Sequence, residues 1–169
     1  SNIYGGWKFK KLNGITTDTL TGGEVTQLAK EGWNGYRNVR GKGQTTGSIC
    51  TDASTHADET LLRDTVIYNV ANVLMDMFDN EEIVPMGYDG KKLIRAYLDK
   101  ALIYCGTLGL IERGEDGGYL YEINIPEITA IMKSMREITG ITFTYSPNIP
   151  LEKITVTGKE VLEWTGGNE

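Results

Sequence analysis

Side chains suited to catalysis or metal binding are few in this sequence. It contains one histidine, His56, and two cysteines, Cys50 and Cys105, among 169 residues. A catalytic base needs a nucleophile or a carboxylate within reach, and no motif around His56 supplies one. One histidine and two separated cysteines also fall short of a common zinc site. The sequence therefore predicts that His56 is a solvated residue at a helix start, and that Cys105, on an apolar helical run, is a buried thiol.

Carboxylates and glycines elsewhere match ion or phosphate sites only superficially. A calcium loop needs alternating acidic positions, a glycine and a distal glutamate, and the acidic stretch 76–82 lacks this arrangement. The stretch Gly41–Thr46 contains a lysine between glycines, but the Walker pattern places its first glycine where Tyr36 stands. Acidic residues inside Gly114–Gly118 would repel a phosphate. We therefore expect no catalytic residues, no metal site and no cofactor, and the chain is predicted not to be an enzyme.

Composition and charge fit an ordinary globular domain. Apolar residues make up 40% of the chain and charged residues 24%. The net charge of −6 argues against nucleic acid as a partner, because an acidic surface repels phosphates. No segment is apolar for long enough to insert into a membrane. Because the first residue is Ser1 and not a methionine, we expect a fragment of a longer protein.

Four helices are predicted from apolar spacing and from start signals. Thr21–Glu24 is a capping-box pattern, and Thr55 with Asp58 is a second one. Asp89 is the expected cap of the third helix, and Pro126 suits the first turn of the fourth. The predicted helices cover about 22–31, 56–79, 90–106 and 126–138. The widest apolar stripe belongs to the second helix and consists of Leu62, Val66, Val70, Val73, Leu74, Met77 and Phe78.

Alternation of apolar and polar residues predicts several short strands. They cover about 1–11, 33–40, 47–52, 119–124, 141–146 and 152–163. A polar turn, Gly41–Gly47, separates the second strand from the third. Ile141 and Phe143 share one face of their strand, and Ile154 and Val156 share one face of theirs. The predicted fold class is α+β, with three to four helices, short strands in a small mixed or antiparallel sheet, and a β-rich C-terminal end.

Four blocks of sequence occur in an order typical of one protein family. They are Trp7–Thr16 with Leu20–Glu24, Thr45–Asp64, Pro85 with residues 90–111, and Ile141–Gly158. Together they resemble contractile phage tail sheath proteins, over essentially the whole chain. The sequence departs from the family pattern in two places. Asp64-Thr65-Val66 replaces a frequent aspartate-tryptophan-leucine, and Pro150–Lys153 stands where the family often has alanine-isoleucine-histidine.

The resemblance implies a structural role. The chain would be the C-terminal half of a sheath subunit that forms stacked hexameric rings around a tail tube and contracts to drive the tube through a cell envelope. The implied partners are other copies of the subunit and the tail tube protein. The implied location is the tail of a phage or prophage particle, assembled in the bacterial cytoplasm. Residues 1–150 would form a sheath core-like domain, and residues 151–169 an arm with a mobile tail.

In this family, extended arms exchange strands between subunits, which makes the predicted strand 152–163 the candidate arm. The candidate interface residues are Ile141, Phe143, Ile154, Val156 and Val161. Alternatively, strand 152–163 belongs to the domain's own sheet and pairs with strand 141–146. The competing function is a small α+β ligand-binding or regulatory domain without catalysis, and an enzyme ranks third.

Overall fold

A computed structural model describes residues 6–50 and 56–156, which form an α+β fold as predicted. Within these residues there are four helices and four short strands. In chain order they are α1 (Gly22–Lys30), β1 (Tyr36–Val39), β2 (Lys42–Thr45), α2 (Ala57–Asn80), α3 (Tyr88–Thr107), β3 (Tyr121–Asn124), α4 (Ala130–Met135) and β4 (Thr142–Tyr145). The strands make two separate antiparallel pairs, β1 with β2 and β3 with β4.

The core lies between α2 and α3, the pair of helices that pack most extensively. On α2, Leu62, Val66, Val70 and Met77 are buried at helical spacing. The buried face of α3 includes Ile94, Leu98, Ala101, Leu102 and Cys105. Leu110, Ile111 and Ile123 complete the cluster, so β3 closes the core on the far side of α3.

One member of the predicted apolar stripe does not face this core. Phe78 is 62% exposed, as is Met75 on the same side of α2. Each helical residue advances about 100°, so Phe78 points well away from its buried neighbour Met77. The outer face of α2 therefore carries exposed apolar residues, and one of them, Phe78, was predicted to face the core.

The hairpin β1–β2 turns earlier than predicted. Val39 pairs with Lys42, so the turn consists of Arg40 and Gly41 alone. Both residues have positive φ, 53° and 81°, as a type I′ hairpin turn requires. The predicted turn at Gly41–Gly47 is therefore wrong, and the returning strand is β2 and not the described part, 47–50, of the predicted strand 47–52; residues 51 and 52 lie outside the described residues. The residues of β2, Lys-Gly-Gln-Thr, are polar and show no strand-like alternation. They form a strand because the two-residue turn brings them alongside β1.

The N-terminal segment is held without forming a strand of its own. The backbone of Phe9 donates to the Thr45 carbonyl, and that of Thr45 donates to the Lys10 carbonyl. The Tyr36 hydroxyl accepts from the Leu12 backbone at 3.1 Å. Phe9 has a φ of 64°, which interrupts the extended conformation predicted for residues 1–11. The described part of that segment is thus pinned to the end of β2 as an irregular chain.

Helix starts follow the predicted caps only in α1. There, Thr21 Oγ1 accepts from the Glu24 backbone at 3.3 Å, and the Glu24 carboxylate accepts from the Thr21 backbone at 2.8 Å. The N-cap of α2 is His56, because its backbone pairs with Ile49 in an extended conformation; Thr55 lies outside the described residues.

The two later helix starts also differ from the prediction. Gly87 is the N-cap of α3, and Asp89 lies inside its first turn. Pro126 precedes α4, which begins only after Thr129, whose side chain accepts from the Met132 backbone at 3.2 Å. The helix thus begins where the Thr129 side chain accepts a hydrogen bond from a backbone N–H, and not at Pro126, although proline has a φ suited to a first helical turn.

Candidate functional site

The sheet β3–β4 holds one of the predicted interface residues, Phe143, and another, Ile141, directly precedes β4. Ile123 lies opposite Phe143, and Tyr121 lies opposite Tyr145. Ile141 and Phe143 are half-buried and pack against the core, and the Phe143 ring stacks on Tyr145 at 6.3 Å between centroids. These residues therefore form part of the domain's own packing, and only their strand's backbone can be offered to a partner.

The outer edge of β4 presents backbone groups without a partner strand in the described chain. Ser146 donates from its backbone to the Leu120 carbonyl at 2.9 Å, which extends the ladder by one residue pair. Bonded and non-bonded pairs alternate along an antiparallel ladder, so the N–H and C=O groups of Phe143 and Tyr145 point away from β3. Such an edge is a template for another strand.

The alternative pairing of β4 with the predicted strand 152–163 does not occur among the described residues, and residues 157–163 of that strand lie outside them. β4 pairs with β3, and residues 151–156 form neither helix nor strand. Ile154 is 72% exposed and Val156 is 84% exposed. Val161 lies outside the described residues. Residues 152–156 pair neither with the outer edge of β4 nor with any other strand of the described chain.

Glu152 anchors this C-terminal segment to the body of the domain. One carboxylate oxygen accepts from Ser48 Oγ at 2.6 Å, and the other lies 3.2 Å from Lys8 Nζ. His56 Nδ1 lies 2.9 Å from Ser48 Oγ and 3.8 Å from the same carboxylate. Beside this cluster, Gly6 lies so close to Pro150 that an added Cβ would come within 2.7 Å of its ring.

No sequence pattern predicts this cluster. His56 is predicted to be a solvated residue, yet its ring is only partly exposed and faces both Ser48 and Glu152. The serine is 104 residues from Glu152 and the lysine is 144, so no local motif could have signalled them.

The arrangement of Ser48, His56 and Glu152 differs from that of a nucleophile relay. In a relay, serine and carboxylate contact opposite nitrogens of the histidine, so that a proton can pass along the line. Here both groups approach Nδ1, and Ser48 donates its proton to the carboxylate. What this geometry provides is a charge-assisted anchor between the C-terminal segment, the N-terminal segment and the start of α2.

Acid should weaken this anchor. Partial burial raises the pKa of Glu152, but hydrogen bonds from Ser48 and Lys8, with the nearby positive charge, lower it overall from its ordinary 4.5. A lowered pKa gives stability that is present above the ordinary value and lost as the pH falls through the folded value. We expect Glu152→Gln to reduce the free energy of unfolding by about 1 kcal/mol at neutral pH. Urea unfolding at neutral pH and below about pH 4 measures whether this difference shrinks.

The matched control is Glu115→Gln, which removes an exposed carboxylate that makes no hydrogen bond with other described residues. It should leave the urea midpoint unchanged at both pH values. A destabilisation by Glu152→Gln that persists undiminished in acid would contradict the anchor.

The other side chains that could react or bind a metal lie apart from this cluster. Cys105 is buried, as predicted, and burial raises the pKa of its thiol to about 11. Within residues 6–50 and 56–156, no three side chains of histidine, cysteine, aspartate or glutamate converge as metal ligands would. The described helices include none with the length and apolar content to cross a membrane.

Comparison with known proteins identifies the fold. No family model and no curated protein sequence matches the chain. A chain in the cryo-electron microscopy structure of the six-fold symmetrised baseplate of the anti-feeding prophage is similar, with a TM-score of 0.74 and 15% identity over 94% of this chain and 45% of that one. A chain in the contracted helical sheath of the same prophage is similar with a TM-score of 0.71 and 16% identity, over 92% of this chain and 45% of that one.

This chain therefore spans less than half the length of the solved chains that it matches. At these identities the comparison establishes the fold. It agrees with the resemblance to sheath proteins that the sequence blocks suggested. The chain has the fold found in chains of the baseplate and the contracted sheath of the anti-feeding prophage.

Proposed function

We propose that this chain is a structural component of a contractile tail-like machine, and specifically the C-terminal half of a sheath subunit. The observation that carries the proposal is the likeness, over 92% of this chain, to a chain in a contracted helical sheath. The exposed edge of β4 could accept a strand from a neighbouring copy, and the anchored C-terminal segment could donate one. Together they would allow copies to link into a polymer. The same likeness to a baseplate chain supports the broader, tail-related role.

In the proposed assembly, the segment that follows Glu152 leaves its own domain and adds a strand to the outer edge of β4 in a neighbouring copy. Backbone hydrogen bonds would supply the affinity, and alternate side chains such as Ile154 and Val156 would supply the fit. Because donor segment and acceptor edge are different surfaces, the contact is heterologous, and repetition extends it into rings or helices. A flexible link beyond a fixed anchor would let neighbouring domains shift without separating.

The proposed subunit performs no catalysis. The Ser48 proton is directed to Glu152, so the hydroxyl is not presented to His56 as a nucleophile would be. In this proposal Ser48, His56 and Glu152 serve to hold chain segments together. The tail tube protein is the proposed second partner, and a phage or prophage tail, assembled in the bacterial cytoplasm, is the proposed location.

Electron microscopy tests the proposal. The longer protein that contains this chain as its C-terminal half should form hollow tubes or rings in negative stain when expressed alone. Monodisperse particles of single subunits, at concentrations where sheath proteins would polymerise, would contradict it. That result would favour the competing reading, a small α+β ligand-binding or regulatory domain.

A further inference from the structure

A basic groove stands out on the surface of this acidic chain. It has a volume of about 520 Å³ and lies between the first turns of α3 and the segment joining β3 to α4. Lys91, Lys92, Arg95 and Lys133 line it, against a single carboxylate, that of Glu127. Isoleucines supply an apolar part of the lining. The groove thus combines positive charge with apolar surface, in a protein whose net charge is −6.

The groove already accepts one carboxylate from its own chain. Lys91 Nζ donates to Glu127 Oε1 at 2.8 Å, although the Glu127 side chain is 94% exposed. Lys92 lies over the Tyr88 ring at 4.3 Å, and Arg95 lies 3.9 Å from Asp99. Lys133 makes no ion pair with another described residue. The remaining positive charge is therefore available to a partner.

The carboxyl-terminal end of α2 has the opposite character. Asp76 and Asp79 are exposed in its last two turns, Glu82 is exposed just beyond its end, and no basic residue occupies the last helical turn. The negative end of the helix dipole adds to these charges. Beside them, Met75 and Phe78 are each 62% exposed. This end of α2 is acidic where the groove is basic, and like the groove it offers apolar surface. The two surfaces are therefore complementary.

Neither surface is neutralised by the other within one copy. The helix end and the groove are separated by the short loop 81–87, yet no ion pair joins them among the described residues. The groove in turn places cations near the positive end of α3, where they are disfavoured. On each surface, like charges therefore lie close together and beside a helix end of the same sign. Contact between two copies would place opposite charges against each other and reduce the repulsion on both surfaces.

We propose that the basic groove of one copy binds the acidic end of α2 of a neighbouring copy. When each surface meets a different neighbour, the contact is heterologous and can repeat along a ring or a filament. This inference rests on the proposed assembly role and names a second contact within it, independent of strand addition at β4.

Charge reversal tests the contact in the full 169-residue chain. Lys92→Glu with Lys133→Glu reverses the groove, and Asp79→Lys with Glu82→Lys reverses the helix end. Sedimentation velocity at low salt should give an association constant at least about tenfold lower for each double variant. An equimolar mixture of the two should recover association, because the acidic groove of one variant then meets the basic helix end of the other. Added salt should weaken association of the unmodified chain.

The control is Lys10→Glu with Lys42→Glu, which makes the same change in net charge on exposed residues outside the groove. It should leave association unchanged. No salt-sensitive association of the unmodified chain, equal losses in the control, or no recovery in the mixture would each overturn the contact. If the longer protein carrying either reversal still forms normal tubes, the contact is wrong while the sheath proposal stands; if the unmodified longer protein forms none, the sheath proposal itself fails.

Discussion

Truncation after Glu152 is expected to abolish polymer formation by the longer protein while leaving the domain folded. Ile154 and Val156 are 72% and 84% exposed, so their removal takes nothing from the core. An added strand of about five residues contributes roughly 1 kcal/mol for each backbone hydrogen bond. Its loss from every subunit contact should weaken association about a thousandfold. Negative-stain microscopy scores the polymers, and circular dichroism of the truncated chain checks its fold.

The truncation keeps Glu152, so that the anchor to Ser48 and Lys8 is not disturbed. Val156→Asp is the corresponding point substitution: the fold should survive because the side chain is exposed, and assembly should fail because a charge enters the proposed buried contact. Ile15→Asp is the control, since Ile15 is 57% exposed and lies outside the proposed contact. Unchanged polymer yield after truncation would rule out the arm.

Gly90→Ala is expected to destabilise the domain by about 3 kcal/mol. A Cβ at this position would lie 1.7 Å from the Pro85 carbonyl oxygen, which belongs to the backbone and cannot rotate aside. The loop before α3 would have to move, and with it the first turns that shape the basic groove. The free energy of unfolding, from urea titration followed by circular dichroism, gives the size of the effect.

Gly23→Ala provides the matched comparison. Gly23 also lies in the first turn of a helix, but an added Cβ there meets no atom within 4 Å. Alanine is favoured over glycine inside a helix by up to about 1 kcal/mol, so this variant should be unchanged or more stable. Opposite signs for the two substitutions would identify the contact with Pro85 as the cause. Stabilisation by Gly90→Ala would contradict the close packing of the loop against α3.

The helices could be predicted from the sequence because apolar spacing and capping residues are local features of the chain. The stripe Leu62, Val66, Val70 and Met77 places a long helix within one residue of its observed span, and a capping box marks α1. Capping residues that depend on contacts outside the helix were missed. His56 caps α2 because its backbone pairs with Ile49, which no pattern around Thr55 reveals.

The candidate site was less accessible to sequence reasoning, for the same physical reason. The alternation at 141–146 located β4, but it carried no information on the partner strand, which is β3. The anchor at Glu152 joins side chains that are more than 90 residues apart, and it arises only from the fold. The residue types of Ile154 and Val156, both apolar, likewise did not indicate that their side chains are exposed.

The most direct test of the proposed linkage is a cryo-electron microscopy map of polymers of the longer protein, at a resolution that traces individual strands. The account predicts a third strand along Thr142–Tyr145, contributed by the segment beyond Glu152 of a neighbouring copy. A polymer in which that edge of β4 faces solvent, or is covered by the subunit's own chain, would contradict it.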